Sequence, residues 1–152
     1  MSVCALAGPV LVACVQSAAF SLGWTHSVER VEWQEDWRVE GHSMIQTQAR
    51  VKGSGAGMDP APGAVWKDGW YVWSPEPALH LKEIRLANSG QTVSAWTLCD
   101  LPARAHCVSL GQALGEKHHR NMSNQFSDGF VLQVMPPAPT PAEKPGGALP
   151  NP

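Results

Sequence analysis

From Phe20 to Lys52 the chain alternates apolar and polar residues with a period of two, a pattern that fits half-buried β-strands and excludes amphipathic helices. Phe20, Leu22, Trp24, His26 and Val28 share one face of the first segment; Ser21, Gly23, Thr25, Ser27 and Glu29 share the other. The second segment carries Trp33, Glu35, Trp37 and Val39 against Glu32, Gln34, Asp36 and Arg38. In the third, Ile45, Thr47, Ala49 and Val51 oppose Gln46, Gln48, Arg50 and Lys52. Each segment is polar on one side, as the strands of antiparallel sheets are.

Downstream, the run Val65 to Val72 contains Asp68-Gly69, a dipeptide suited to a type I′ hairpin turn because both central residues need positive φ. Further strands are expected at Leu79 to Leu86 and Val93 to Cys99, separated by Asn88-Ser89-Gly90, with Cys107 to Leu110 returning against the latter. Residues Leu110 to Arg120 carry a weak helical pattern. Short strands with frequent turn signals predict an all-β fold, a small antiparallel β-sandwich or partly open barrel. Residues 4–114 are assigned to this single domain and 115–135 to a weakly structured extension. Residues 136–152 contain seven prolines, which can neither build a ladder nor bury area, so they read as a disordered Pro-rich tail.

Residues 1–19 admit two readings. Leu11-Val12-Ala13-Cys14 matches a lipoprotein cleavage motif and Ser17-Ala18-Ala19 suits a signal peptidase. Against these, no Lys or Arg precedes the apolar run and Gly8-Pro9 interrupts it. The competing reading is a hairpin of Val3–Ala7 and Val10–Val15 around that Gly-Pro turn.

Composition removes several function classes. Apolar residues make up 43% of the chain, enough for a core, and 11 basic against 13 acidic residues leave a net charge of −2. A nucleic-acid binder needs a concentrated basic face, so that class is set aside. No apolar run reaches the roughly 18 residues of a transmembrane helix.

The runs Trp24-Thr25-His26-Ser27-Val28-Glu29-Arg30 and Glu35-Asp36-Trp37-Arg38-Val39 resemble a known family. So do Gly53-Ser54-Gly55-Ala56-Gly57-Met58, Pro62-Gly63-Ala64-Val65 and Asp68-Gly69-Trp70. The family is the bacterial one catalogued as domain of unknown function 1850, and the resemblance covers roughly Cys4 to Leu114. Its genes often lie beside tripartite (TRAP-type) solute transporters of the TAXI class, so the resemblance implies an envelope or transport-accessory role. It implies no catalytic residue.

Four constellations carry candidate chemistry. If Trp24 lies opposite Trp37, then His26 faces Glu35 on a tryptophan-lined surface, as an acid–base pair or as a buried polar pair that fixes register. Ser27 points to the opposite face from His26, which disfavours a hydrolase triad. Gly53, Ser54, Gly55 and Gly57 form a candidate anion loop of backbone N–H groups, or else a plain glycine-rich turn. This loop lacks the Lys-Ser/Thr ending of a phosphate loop, and Pro60 and Pro62 block the helix that should follow. Trp66, Trp70, Tyr71 and Trp73 form a candidate aromatic surface on the tight hairpin. Cys99 and Cys107 are placed to pair across an antiparallel return, as are Cys4 and Cys14, although a cytosolic protein would hold them as thiols. No Cys-x-x-Cys occurs, so no structural zinc is expected, and nothing in the sequence implies a cofactor.

Three functions remain. The first is a binding or accessory module for solute transport, whose partner is a transporter subunit or a small organic solute. The second is a structural or assembly domain without a ligand site. The third is an enzyme using His26 and Glu35. The cysteine spacing and the transporter association lean toward the periplasm or cell envelope, with the cytoplasm as the alternative.

Overall fold

The computed structural model describes residues 1–25, 31–53, 60–87, 96–118 and 129–137. In chain order its elements are β1 (Ser2–Ala7), β2 (Val10–Val15), β3 (Ala19–Thr25), β4 (Glu32–Glu40), β5 (Ser43–Val51), β6 (Val65–Lys67), β7 (Trp70–Trp73), β8 (His80–Leu81), β9 (Glu83–Leu86), β10 (Thr97–Asp100), β11 (Cys107–Ser109), α1 (Leu110–His118) and β12 (Phe130–Met135).

They form two antiparallel sheets. The smaller has the order β2-β1-β12-β9 and the larger β11-β10-β3-β4-β5-β7-β6, with β8 also paired to β5. Period-2 alternation gives each sheet one apolar face, and the two faces meet in a shared core. Phe20, Leu22, Trp37, Met44 and Leu98 of the larger sheet join Val3, Ala5, Val12, Val15, Ile84, Leu86, Phe130 and Leu132 of the smaller. Leu110 and Leu114 of α1 join the same core. This is a β-sandwich, and among the described residues no barrel closes. Burying a Leu or Phe side chain contributes about 1.5–3 kcal/mol each, so this interface dominates stability.

The hairpin reading of residues 1–19 matches the structure. Gly8, at φ +55°, opens the turn, and β1 is an interior strand between β2 and β12. Val3 and Ala5 are fully buried, and cleavage at Cys14 would remove β1 and most of β2, while cleavage after Ala19 would remove both strands from the small sheet. Both expected disulfides are present, Cys4–Cys14 and Cys99–Cys107, each joining residues directly opposite in their ladders.

Several expectations need correction. The β3–β4 register places Trp24 opposite Trp33, Phe20 opposite Trp37 and Leu22 opposite Glu35, four residues from the expected pairing. The even offset preserves every face. It moves the midpoint between the paired strands upstream of Arg30-Val31, whose bulky residues suit no two-residue hairpin, and it stacks Trp24 on Trp33 with centroids 5.7 Å apart.

The third alternation is also broken. A bulge opposite the Asp36/Trp37 step leaves Thr47 exposed, where it donates to the Asp36 carbonyl, and sends Met44 and Gln46 inward. The expected single strand Leu79–Leu86 is two: β8 pairs with the larger sheet and β9 with the smaller, so the chain changes sheets at Lys82. Residues 115–135 are not simply a weakly structured extension, because β12 pairs with both β1 and β9 and buries Phe130 and Leu132. The Asn88-Ser89-Gly90 turn, the Val93–Ala95 start of the expected strand and tail residues 138–152 lie outside the described residues.

Candidate functional site

The larger sheet is wider than its partner, and its second face is turned away from the core. Antiparallel pairing directs Ser21 of β3, Gln34 and Asp36 of β4, and Gln48 and Arg50 of β5 to this outer side. Trp70 and Val72 of β7 and Lys67 of β6 continue it. Here Arg50 is an organising strut. Its Nε and Nη2 donate to Gln34 Oε1 at 2.8 and 2.5 Å, and its Nη1 donates to Asp36 Oδ2 and Gln48 Oε1, each at 3.2 Å. Gln34 in turn donates from Nε2 to Glu32 Oε1 at 2.9 Å. Trp70 closes one side, with Arg50 and Lys52 5.8 and 5.6 Å from its ring, within cation–π range.

A second arginine reaches this face from the loop between β10 and β11. The Cys99–Cys107 disulfide closes that loop, and Asp100 braces it by accepting from the His106 backbone N–H at 2.8 Å. That bond and the His106 ring hold the Asp100 carboxyl below its ordinary range. Arg104 sits in the loop with φ +51° and donates from Nη1 to Ser21 Oγ at 2.9 Å. The result is an open cavity of about 450 Å³, lined by Gln34, Gln48, Arg50, Trp70, Val72 and Arg104, with Lys67 and Asp68 also on its wall. An adjoining hollow of about 520 Å³ shares Arg50 and Arg104 and reaches Arg38 and Pro102.

The residues singled out from sequence fall in several places. Glu35 is on the inner face opposite Leu22, not His26, and His26 lies outside the described residues. The Glu35 carboxylate accepts from Trp37 Nε1 at 3.2 Å. Burial pushes it above the usual carboxylate range, against the hydrogen bonds of Trp37 and Gln46.

The Asp-Gly turn forms as expected, with Asp68 and Gly69 at φ +51° and +87°, and it splits the aromatic set between two faces. Trp66 packs edge-on against Tyr71 at 4.7 Å, and Trp73 packs against Trp33 at 5.8 Å, while Trp70 faces the outer groove. Gly53 has φ +103°; Ser54, Gly55 and Gly57 lie outside the described residues.

Arg50, Arg104, Gln34, Asp36 and Gln48 were not singled out from sequence. Four of them stand on the polar side of the alternation, which reads as solvated surface until the strands are paired. Arg104 had a weaker signal: it is the one arginine inside the loop that the two cysteines flank.

The fold and groove together define a disulfide-stapled antiparallel β-sandwich with one open, polar sheet face. The chain belongs to the family described as domain of unknown function DUF1850, which matches residues 20–107. That span runs from β3 to the start of β11, so it includes the outer groove and leaves β1, β2, α1 and β12 outside the matched region. No curated protein and no solved structure matches the chain. Among the described residues, no helix is long and apolar enough to cross a membrane.

Proposed function

We propose that the protein is a small binding module of the cell envelope, serving solute transport, with the outer face of the larger sheet as its ligand face. The observation that carries this reading is the groove itself. Arg50, Gln34 and Asp36 are fixed by one another and Arg104 by a disulfide-closed loop, so the polar groups around the cavity are held in place before anything binds. Two disulfides suit an oxidising compartment, which supports an extracytoplasmic location. The transport role rests on the family resemblance alone.

The test is a thermal-melt screen of the oxidised full-length protein against organic acids, amino acids, amines and sugars. A ligand at one hundred times its Kd should raise Tm by about 5–10 °C, and Trp70→Leu should remove that increase while leaving the fold intact. No stabilisation across the library would count against the binding reading.

One observation favours an assembly role instead. Val65 and Trp66 on edge strand β6 are 64% and 57% exposed. On that reading a transporter subunit co-purifies with the wild type and is lost with Trp66→Ser. A lone monomer in gentle detergent extracts would weaken it.

A further inference from the structure

We infer that the outer groove is a carboxylate site, in which Arg104 grips the acid group of a small organic acid whose apolar body lies on Trp70 and Val72. This rests on the binding reading above and names the ligand class for it.

The first argument is unspent charge. Among the described residues, Arg38, Arg50 and Arg85 each stand against a carboxylate, Glu40, Asp36 and Glu83 respectively. Arg104 has none. Its contacts are Ser21 Oγ at 2.9 Å, Gln34 Oε1 at 3.5 Å and Cys99 Sγ at 3.5 Å, which leaves donors of the guanidinium fork open toward the groove. The cavity wall carries Arg50, Lys67 and Arg104 against Asp68, and with Asp36 beside it pairing with Arg50 an excess of one positive charge remains.

The second argument is the polarity of what remains. Gln34 spends its carbonyl on Arg50 and its amide N–H on Glu32. Gln48 spends its carbonyl on Arg50, so its NH₂ group is the end left over. Arg104, Gln48 and Lys67 therefore offer donors around one space, with Asp68 the exposed exception at the hairpin tip. A carboxylate, which only accepts, is the complementary group, and a planar guanidinium meets it through two parallel bonds.

The third argument is placement. A non-glycine residue at φ +51° is strained backbone, and Arg104 adopts it inside a loop pinned by the disulfide, by Asp100 and by the Leu101 N–H to the Ala19 carbonyl. That conformation aims the guanidinium inward over Ser21. The cavity, at about 450 Å³, has far more room than an inorganic anion fills, and Trp70 and Val72 supply an apolar wall for the rest of an organic molecule.

The experiment uses the oxidised full-length protein and matched probes: benzoate against benzamide, indole-3-acetate against its amide, succinate against succinamide, and inorganic sulfate. Binding is read from amide and indole chemical shifts in ¹H–¹⁵N spectra. We expect at least one acid to bind with at least about tenfold preference over its amide. Arg104→Gln should weaken that acid by about tenfold or more, and Arg104→Lys should recover only part of the loss. An unchanged spectrum outside the groove keeps loss of binding separate from loss of fold.

Equal binding of acid and amide overturns the carboxylate assignment and leaves the binding module standing, as does a library hit that carries no anion. Sulfate binding as tightly as the best acid overturns the organic part. No hit from any probe or library member overturns both readings.

Discussion

Glu35 is a half-buried carboxylate on the inner face of β4, two residues from Trp33 and from Trp37, and its charge works against the fold. Because burial raises its pKa, the folded protein holds the proton more tightly than the unfolded chain does. Stability therefore falls as pH rises from the ordinary value of 4.5 through the raised folded value, and stays at the lower level above it. Glu35→Gln keeps an acceptor for Trp37 and removes the charge. We expect it to melt higher than wild type at pH 7 and to flatten the slope between pH 4 and 7; parallel pH–stability curves would refute this. Trp37→Phe removes the donor and leaves the carboxylate less satisfied. It should cost about 1–3 kcal/mol in urea unfolding at pH 7. Sequence alternation placed Glu35 correctly beside Trp33 and Trp37, yet it could not name the cross-strand neighbour, because period two reports faces and is blind to an even offset.

Elements whose geometry is written in local chemistry were legible. The β6–β7 hairpin follows from Asp68-Gly69, where both residues take positive φ, and the β1–β2 hairpin follows from Gly8-Pro9 between two apolar runs. Gly69→Ala, at φ +87°, should destabilise by about 1 kcal/mol through backbone strain alone, since a Cβ there meets nothing within 4 Å. Chemical unfolding of this variant measures it, and an unchanged midpoint would mean the hairpin contributes nothing to the cooperative fold. What was not legible depends on partners distant in sequence. The Thr47 bulge answers the demands of β4, the break at Lys82 lets one strand serve two sheets, and β12 finds its place only between β1 and β9. The groove was illegible for the same reason: Gln34, Asp36, Gln48 and Arg50 meet only once β4 and β5 are paired.

At the scale of the whole molecule, the Cys99–Cys107 bridge links stability to the proposed site. Closing so short a loop is worth about 2.5 kcal/mol by chain entropy, so the double variant Cys99→Ser/Cys107→Ser should lower unfolding free energy by about that amount. It should also loosen Arg104 and weaken any ligand of the groove, an effect absent from Cys4→Ser/Cys14→Ser, whose bridge lies in the other sheet. The central claim is that the open outer face binds, and the tryptophans provide its most direct test. Trp70 lies on that face, whereas Trp24, Trp33, Trp73 and Trp96 form a connected cluster through ring contacts of 4.6–5.8 Å elsewhere in the molecule. With the indole N–H signals assigned, the oxidised protein is titrated with the strongest hit of the solute screen. The Trp70 signal should move with saturation while those of Trp24, Trp33, Trp73 and Trp96 hold still; movement of that cluster with Trp70 unchanged would contradict the account.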